Sequence, residues 1–186
     1  MSSFENFIND QKKAFKKLPK RVRDEINSSL ELRKASIVLS LDRCESPIEQ
    51  LLMIHLIDLE LELKSEIRVL GIENEVIFNV QEEVEICGKK YRLDFSIECI
   101  IGGERYKFAI ECDGHDYHER TKEQALRDKS RDRNLISEGY IVIRFTGSEI
   151  WDRPVKCIRE LRDIIHNKIG LTAYWEEIIE RELGGY

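Results

Sequence analysis

Three acids near the middle of the chain stand at spacings that could hold a metal ion. They are Asp94 in Tyr91-Arg92-Leu93-Asp94-Phe95, and Glu111 and Asp113 in Phe108-Ala109-Ile110-Glu111-Cys112-Asp113. Both segments alternate in polarity, as half-buried strands do. Gly102-Gly103 lies between them. If those glycines form a two-residue hairpin turn, Ile101 faces Glu104 and the register runs on from there. Asp94 then faces Glu111, with Cβ atoms about 5 Å apart, and Asp113 follows on the same face. Carboxylates so placed repel one another unless one is protonated or a cation sits among them. A hard divalent ion, Mg²⁺ or Mn²⁺, suits such oxygens because it binds through one or two carboxylates plus substrate phosphate. The Cys112 backbone carbonyl offers a further oxygen. The plainer alternatives are that one acid points to solvent, or that the turn is longer and shifts the register.

His118 follows the acidic strand and has an ordinary pKa of about 6.5, which suits a general acid or base near neutrality. Its bland reading is a loop histidine at the mouth of a helix. His115 reads as an exposed loop residue, and His55 and His166 as structural residues on helices. Gln81 ends a strand and is expected to assist polar contacts. On the helix after the acids, Arg127 and Arg131 share one stripe, while Asp128, Asp132 and Leu135 share another turned to the sheet. Arg127, Lys129 or Arg131 could touch a phosphate and stabilise developing charge. Intrahelical ion pairing explains the same pattern equally well.

These residues need elements to hold them. Residues 4 to 35 read as helical, broken at Pro19. Ser46, Pro47 and Glu49 read as N-cap, first-turn proline and capping-box acid, so Glu49 has a structural role in its own right. From Leu51 to Leu63 the helix is apolar around much of its circumference, as expected of one buried against a sheet. Period two then takes over at Val76, Phe78 and Val80, and again at Val84 and Ile86, with a turn expected at Gly88-Lys89. Leu93, Phe95 and Ile97 are expected on one face, and Arg92, Asp94 and Ser96 on the other. A polar helix from Glu119 to Glu138 stops at Gly139, and Ile141 to Phe145 is a short buried strand. Helices follow with Val155, Ile158, Leu161, Ile165 and Ile169, then with Leu171, Tyr174, Trp175, Ile178 and Ile179. The order implies an α/β fold around a mixed sheet of four to five strands, flanked by helices.

Composition bounds the function. The 186 residues are 41% hydrophobic and 35% charged, which fits a compact domain with a solvated surface. The opening residues contain no apolar signal-peptide core, and no apolar run reaches the roughly 18 residues of a membrane span. Five scattered cysteines without a C-x-x-C pair indicate reduced thiols rather than a zinc or disulfide framework. A cytoplasmic location is the expectation. The formal net charge is −6, yet Gln11 to Arg23 carries Lys12, Lys13, Lys16, Lys17, Lys20, Arg21 and Arg23 without an acid. Such a run is either a solvated helix face or a docking site for a polyanion.

Taken in order, Glu49, then Arg92-Leu93-Asp94-Phe95, then Ile110-Glu111-Cys112-Asp113-Gly114 resemble the PD-(D/E)xK nuclease superfamily. Three longer segments resemble its very-short-patch-repair (Vsr)-like branch: Glu111 to His118, Arg127 to Leu135, and Gly139 to Phe145. The resemblance covers about residues 45 to 150. Asp113 stands where the superfamily usually has lysine, and Leu93 where it has proline. The Vsr-like branch also lacks the lysine, and its Gly-x-x-x-His matches Gly114 to His118. The resemblance therefore implies a restriction-endonuclease-like core with helical extensions at both ends. It implies a catalytic set of Asp94, Glu111, Asp113, Glu49 and His118, with Mg²⁺ or Mn²⁺ as cofactor.

The expected function is metal-dependent hydrolysis of DNA phosphodiester bonds. Asp94, Glu111, Asp113 and the Cys112 carbonyl are the expected metal ligands, and Lys12, Lys13, Lys16, Lys17, Arg127, Lys129 and Arg131 the expected DNA contacts. The expected division is a basic helical extension over 1–40, a nuclease core over 41–150 and C-terminal helices over 151–186. DNA is the expected partner, a homodimer is left open, and no membrane is expected. The alternatives are a non-catalytic nucleic-acid-binding module on the same fold and a protein-interaction domain.

Overall fold

In the computed structural model of the chain, which describes residues 12–70, 74–114 and 122–183, the alternating segments form one sheet. Strands β1 (Glu75–Ile86), β2 (Lys89–Ile101) and β3 (Glu104–Asp113) pair antiparallel in sequence order, and β4 (Tyr140–Thr146) pairs parallel to β3. The β2–β3 turn is the glycine pair Gly102-Gly103, with Ile101 facing Glu104 as the two-residue turn requires. Both glycines have positive φ, 59° and 86°, the conformation that matches the strand twist in such hairpins. The β1–β2 turn is Cys87-Gly88, with Ile86 facing Lys89, and not Gly88-Lys89 as the sequence suggested. Cys87 takes the left-handed conformation there (φ 51°).

The helices are α1 (Lys20–Leu41), α2 (Pro47–Leu70), α3 (Lys122–Ser137), α4 (Gly147–Asp152), α5 (Pro154–Ile169) and α6 (Leu171–Leu183). The chain divides into two compact units, Met1–Ser40 and Leu41–Tyr186. In the first, residues 12–17 are helical and Pro19 separates them from α1, where it removes a backbone donor. No side chain of α1 is buried.

In the second unit the sheet has two apolar faces. The larger cluster joins Leu52, Leu56, Leu59 and Leu63 of α2 and Leu161 and Ile165 of α5 to Val76, Val80, Phe95, Ile97, Phe108, Ile110, Ile143 and Phe145. Burying each leucine- or isoleucine-sized side chain contributes about 1.5–3 kcal/mol. That packing, more than helix propensity, holds the two helices in place. Pro154 opens α5, and Gly170 closes it in the left-handed conformation (φ 77°). The smaller cluster lies under α3 and contains Ile86, Leu93, Ala109 and Leu135. Helix α3 thus connects β3 to the parallel β4, a crossover unit.

The two clusters expose a departure from simple alternation. Val76, Phe78 and Val80 belong to the larger cluster, but Val84 and Ile86, of the same parity, belong to the smaller. In β2, Phe95 and Ile97 face the larger cluster and Leu93 the smaller, so the three do not share a face as expected. Both strands turn over at one level. Val80 pairs with Phe95 and Glu82 with Leu93, while the step between them, Gln81 with Asp94, is missing from the ladder. Gln81 is in the left-handed region (φ 54°). One such residue breaks the half-turn-per-residue repeat on which alternation depends.

Candidate active site

Asp94 sits where the strands turn over. Pairing of β2 with β3 ends at Phe95–Ile110, one step short of Asp94 opposite Glu111. The direct facing expected from the hairpin register is therefore not made, because β2 has already twisted out of the ladder. Instead the Asp94 carboxylate accepts a hydrogen bond from the Cys112 backbone N–H at 2.7 Å. At this level β3 has lost β2 on one side while keeping β4 on the other, and a donor without a ladder partner must find another acceptor. Burial pushes the Asp94 pKa up; the Cys112 amide opposes the shift, and the charge of Glu49 adds to it.

Glu111 is 5% exposed, on the face covered by α3. Arg131 of α3 holds both its oxygens, with nitrogen–oxygen distances of 2.6 and 2.8 Å, and also donates to the Arg92 carbonyl at 2.6 Å. Two parallel bonds from a guanidinium are the strongest pairing available to a carboxylate. Burial nevertheless leaves the Glu111 pKa raised, with Arg131 pulling it down and the Asp94 charge pushing it further up. Asp113 accepts from Arg144 of β4 at 3.1 Å, and the same arginine donates to Asp132 of α3 at 2.6 Å. Burial pulls the Arg144 pKa down, but Asp132, Glu111 and Asp113 more than offset it.

Glu49 lies in the first turn of α2, within hydrogen-bond reach of Gln81 at the turn-over. Ser46 and Glu49 form the capping arrangement the sequence implies, with Glu49 N–H donating to Ser46 Oγ at 3.2 Å and the Ser46 hydroxyl donating to Glu49 at 2.7 Å. The other Glu49 oxygen accepts from the Glu45 amide at 2.9 Å and from the Gln81 side-chain amide at 2.8 Å. Glu49 is only 7% exposed, so this carboxylate does more than cap a helix at the surface.

The structure thus gathers Glu49, Gln81, Asp94, Glu111 and Asp113 around the end of the β2–β3 ladder. His118 and His115 lie outside the described residues. Arg131 turns inward to Glu111, whereas Arg127 and Lys129 are exposed on α3. A cleft of about 270 Å³ beside them is lined by Lys89, Tyr91, Arg127, Asp128, Ser130 and Arg131. Lys12, Lys13, Lys16 and Lys17 are exposed in the first unit. Sequence reasoning missed Arg144. Its partner Asp113 is reached only through the parallel pairing of β4 with β3, and no local spacing signals that.

Among the described residues, no three His, Cys, Asp or Glu side chains stand close enough together to hold a metal ion. The donor chemistry still fits one. Asp94, half-buried, and Glu111, buried, are hard oxygen donors with raised pKa values, and Mg²⁺ needs only one or two carboxylates when water and phosphate complete its shell. The thiols do not compete. Burial raises the Cys112 thiol beyond any physiological ionisation and Cys44 to about 11, and the Asp94 and Glu49 charges add to both shifts.

A four-stranded mixed sheet flanked by helices, with a helical crossover to its parallel strand, is consistent with the restriction-endonuclease-like class of α/β fold. The family model REase_MTES_1575 matches residues 66–165, more than half of the chain, and the chain belongs to this restriction endonuclease-like family. The match begins within α2 and ends within α5, so it takes in Gln81, Asp94, Glu111, Asp113, Arg131 and Arg144 and leaves out Glu49 and the basic run. No curated protein and no solved structure matches the chain.

Proposed function

We propose that this protein is a divalent-metal-dependent endonuclease acting on DNA. The observation that carries the reading is the pair of acids, half-buried Asp94 and buried Glu111, at the parting of β2 and β3 in a restriction endonuclease-like chain. Asp94 and Glu111, with Asp113 and the Cys112 carbonyl, are the groups that would hold Mg²⁺ or Mn²⁺. When bound, such an ion neutralises phosphate charge and makes a bound water more acidic. The chain's own residues set the stage. The Cys112 amide orients Asp94, Arg131 orients Glu111, and Arg144 links Asp113 to α3 through Asp132.

His118 takes the role of general base or phosphate contact, and the absence of lysine at position 113 motivates that assignment. The same absence and the Gly114-to-His118 spacing support the Vsr-like branch. Arg127 and Lys129 carry exposed positive charge beside the site, suited to a phosphate backbone. The test is cleavage of plasmid and of duplex, nicked, mismatched and single-stranded oligonucleotides in Mg²⁺ or Mn²⁺. Wild type is expected to cut at least one substrate, and Asp94→Ala and Glu111→Ala to lose at least about a hundredfold in rate. Salt-sensitive DNA binding without cleavage or metal uptake would instead support a binding module on the same fold.

A further inference from the structure

We propose that Gln81 is a positioning residue of the cation site, supplying through its buried Oε1 an oxygen that accepts a hydrogen bond from the water shell of an ion held at Asp94. The inference rests on the nuclease reading and deepens it. Three observations at one residue carry it.

The first is backbone conformation. Gln81 has φ 54° inside a strand, a region that side chains other than those of Gly, Asn and Asp seldom adopt. A glycine would fit the turn-over at lower cost, yet a long amide stands there. Strain of this kind persists where the surroundings impose it. The second is position. Gln81 occupies the missing step of the β1–β2 ladder, the level at which Asp94 of β2 has no partner in either neighbouring ladder. The third is hydrogen bonding. Gln81 Nε2 donates to Glu49 Oε2 at 2.8 Å. A carboxylate can only accept, so the amide cannot be flipped, and the oxygen is the end left over. That oxygen is buried and has no hydrogen-bond partner among the described residues. Glu49 is in turn held by Ser46 and the Glu45 amide, so the amide is fixed in place. A buried acceptor left unpaired costs free energy, and a rigid one beside an acid site is an oxygen waiting for a donor.

Metal-bound water is a strong donor, and groups that orient a metal's ligands or waters typically change affinity by 10–100-fold when removed. The experiment is calorimetric titration of the full-length chain with Mn²⁺ and Mg²⁺, with thermal melts in the presence and absence of each ion. Gln81→Gly keeps the backbone conformation available and removes the amide. It is expected to retain its far-UV circular dichroism and to bind Mn²⁺ about tenfold more weakly than wild type. Gln81→Glu restores an oxygen while placing a second carboxylate beside Glu49. Its melting temperature should fall without metal and recover more steeply than that of wild type as Mn²⁺ is added. Wild-type binding with Gln81→Gly within about twofold of it would overturn the proposal and leave the nuclease reading standing. So would equal shifts of melting temperature with and without metal in both variants, since that is the mark of a purely structural residue. Absence of any Mn²⁺ or Mg²⁺ binding by the wild type would overturn both.

Discussion

At the scale of single residues, arginines govern the acid cluster. Glu111 is 7% exposed at its side chain and Arg131 19%, so their fork is a largely buried ion pair. Taking two charges from water is costly, so such a pair adds little over an apolar one, but breaking it strands the survivor. Arg131→Met is therefore expected to destabilise the metal-free protein by about 3 kcal/mol, the low end for a buried pair, because the arginine keeps some solvent. Adding Glu111→Gln to Arg131→Met should recover most of that loss by removing the stranded charge. Urea denaturation of both variants measures it. A loss below about 1 kcal/mol in the single variant would place the pair with surface salt bridges. Gln81 is the other decisive residue here, since its left-handed backbone sets where Asp94 leaves the ladder.

Elements bring these residues together through close packing at their ends. Helix α4 starts directly after β4, with Thr146 as N-cap and Glu149 completing a capping box. Its first residue, Gly147, is buried, and a Cβ there would lie 2.7 Å from Ile48 Cδ1 and 3.4 Å from the Asp113 carbonyl. The absent side chain lets the β4–α4 junction press against α2 and the end of β3, next to the acids. Gly147→Ala moves only the flexible tip of Ile48 and should be mild. Gly147→Val adds bulk that the Asp113 backbone cannot evade, and is expected to cost about 1–3 kcal/mol. Chemical denaturation of the two variants distinguishes these outcomes; equal midpoints for wild type and valine variant would show that the junction has room to spare.

For the whole molecule, charge is the organising feature. A formal net charge of −6 and an acid-rich site repel a polyanion, so productive binding needs cations elsewhere. Under the nuclease reading, the run from Lys12 to Arg23 supplies them from the Met1–Ser40 unit. Replacing Lys12, Lys13, Lys16 and Lys17 with Gln is expected to weaken DNA binding across all sequences. It should also flatten the salt dependence by about 0.9 log units per lost phosphate contact. Metal affinity should stay nearly constant, since these lysines are not ligands. Fluorescence anisotropy across a salt series measures both affinity and slope, and unchanged values would return the run to a solvated helix face. No helix among the described residues is long and apolar enough to cross a membrane.

Local chemistry in the sequence determined the strands, the Gly102-Gly103 hairpin, the capping of α2 by Ser46 and Glu49, and the candidate acids themselves. Each depends on neighbours a few residues apart: alternation, a two-residue turn, a capping box. The turn-over at Gln81 was decided only in three dimensions. Glutamine carries no sequence signal for the left-handed conformation, and alternation continued unchanged in parity predicts Leu93 on the wrong face. The partners of the acids were likewise hidden. Arg144 reaches Asp113 through a parallel crossover pairing, Arg131 reaches Glu111 from a helix laid over the sheet, and Gln81 reaches Glu49 across the gap from β1 to α2. Side chains so far apart in the chain are brought within hydrogen-bond distance by burial of the two apolar faces, and no spacing along the sequence encodes that distance.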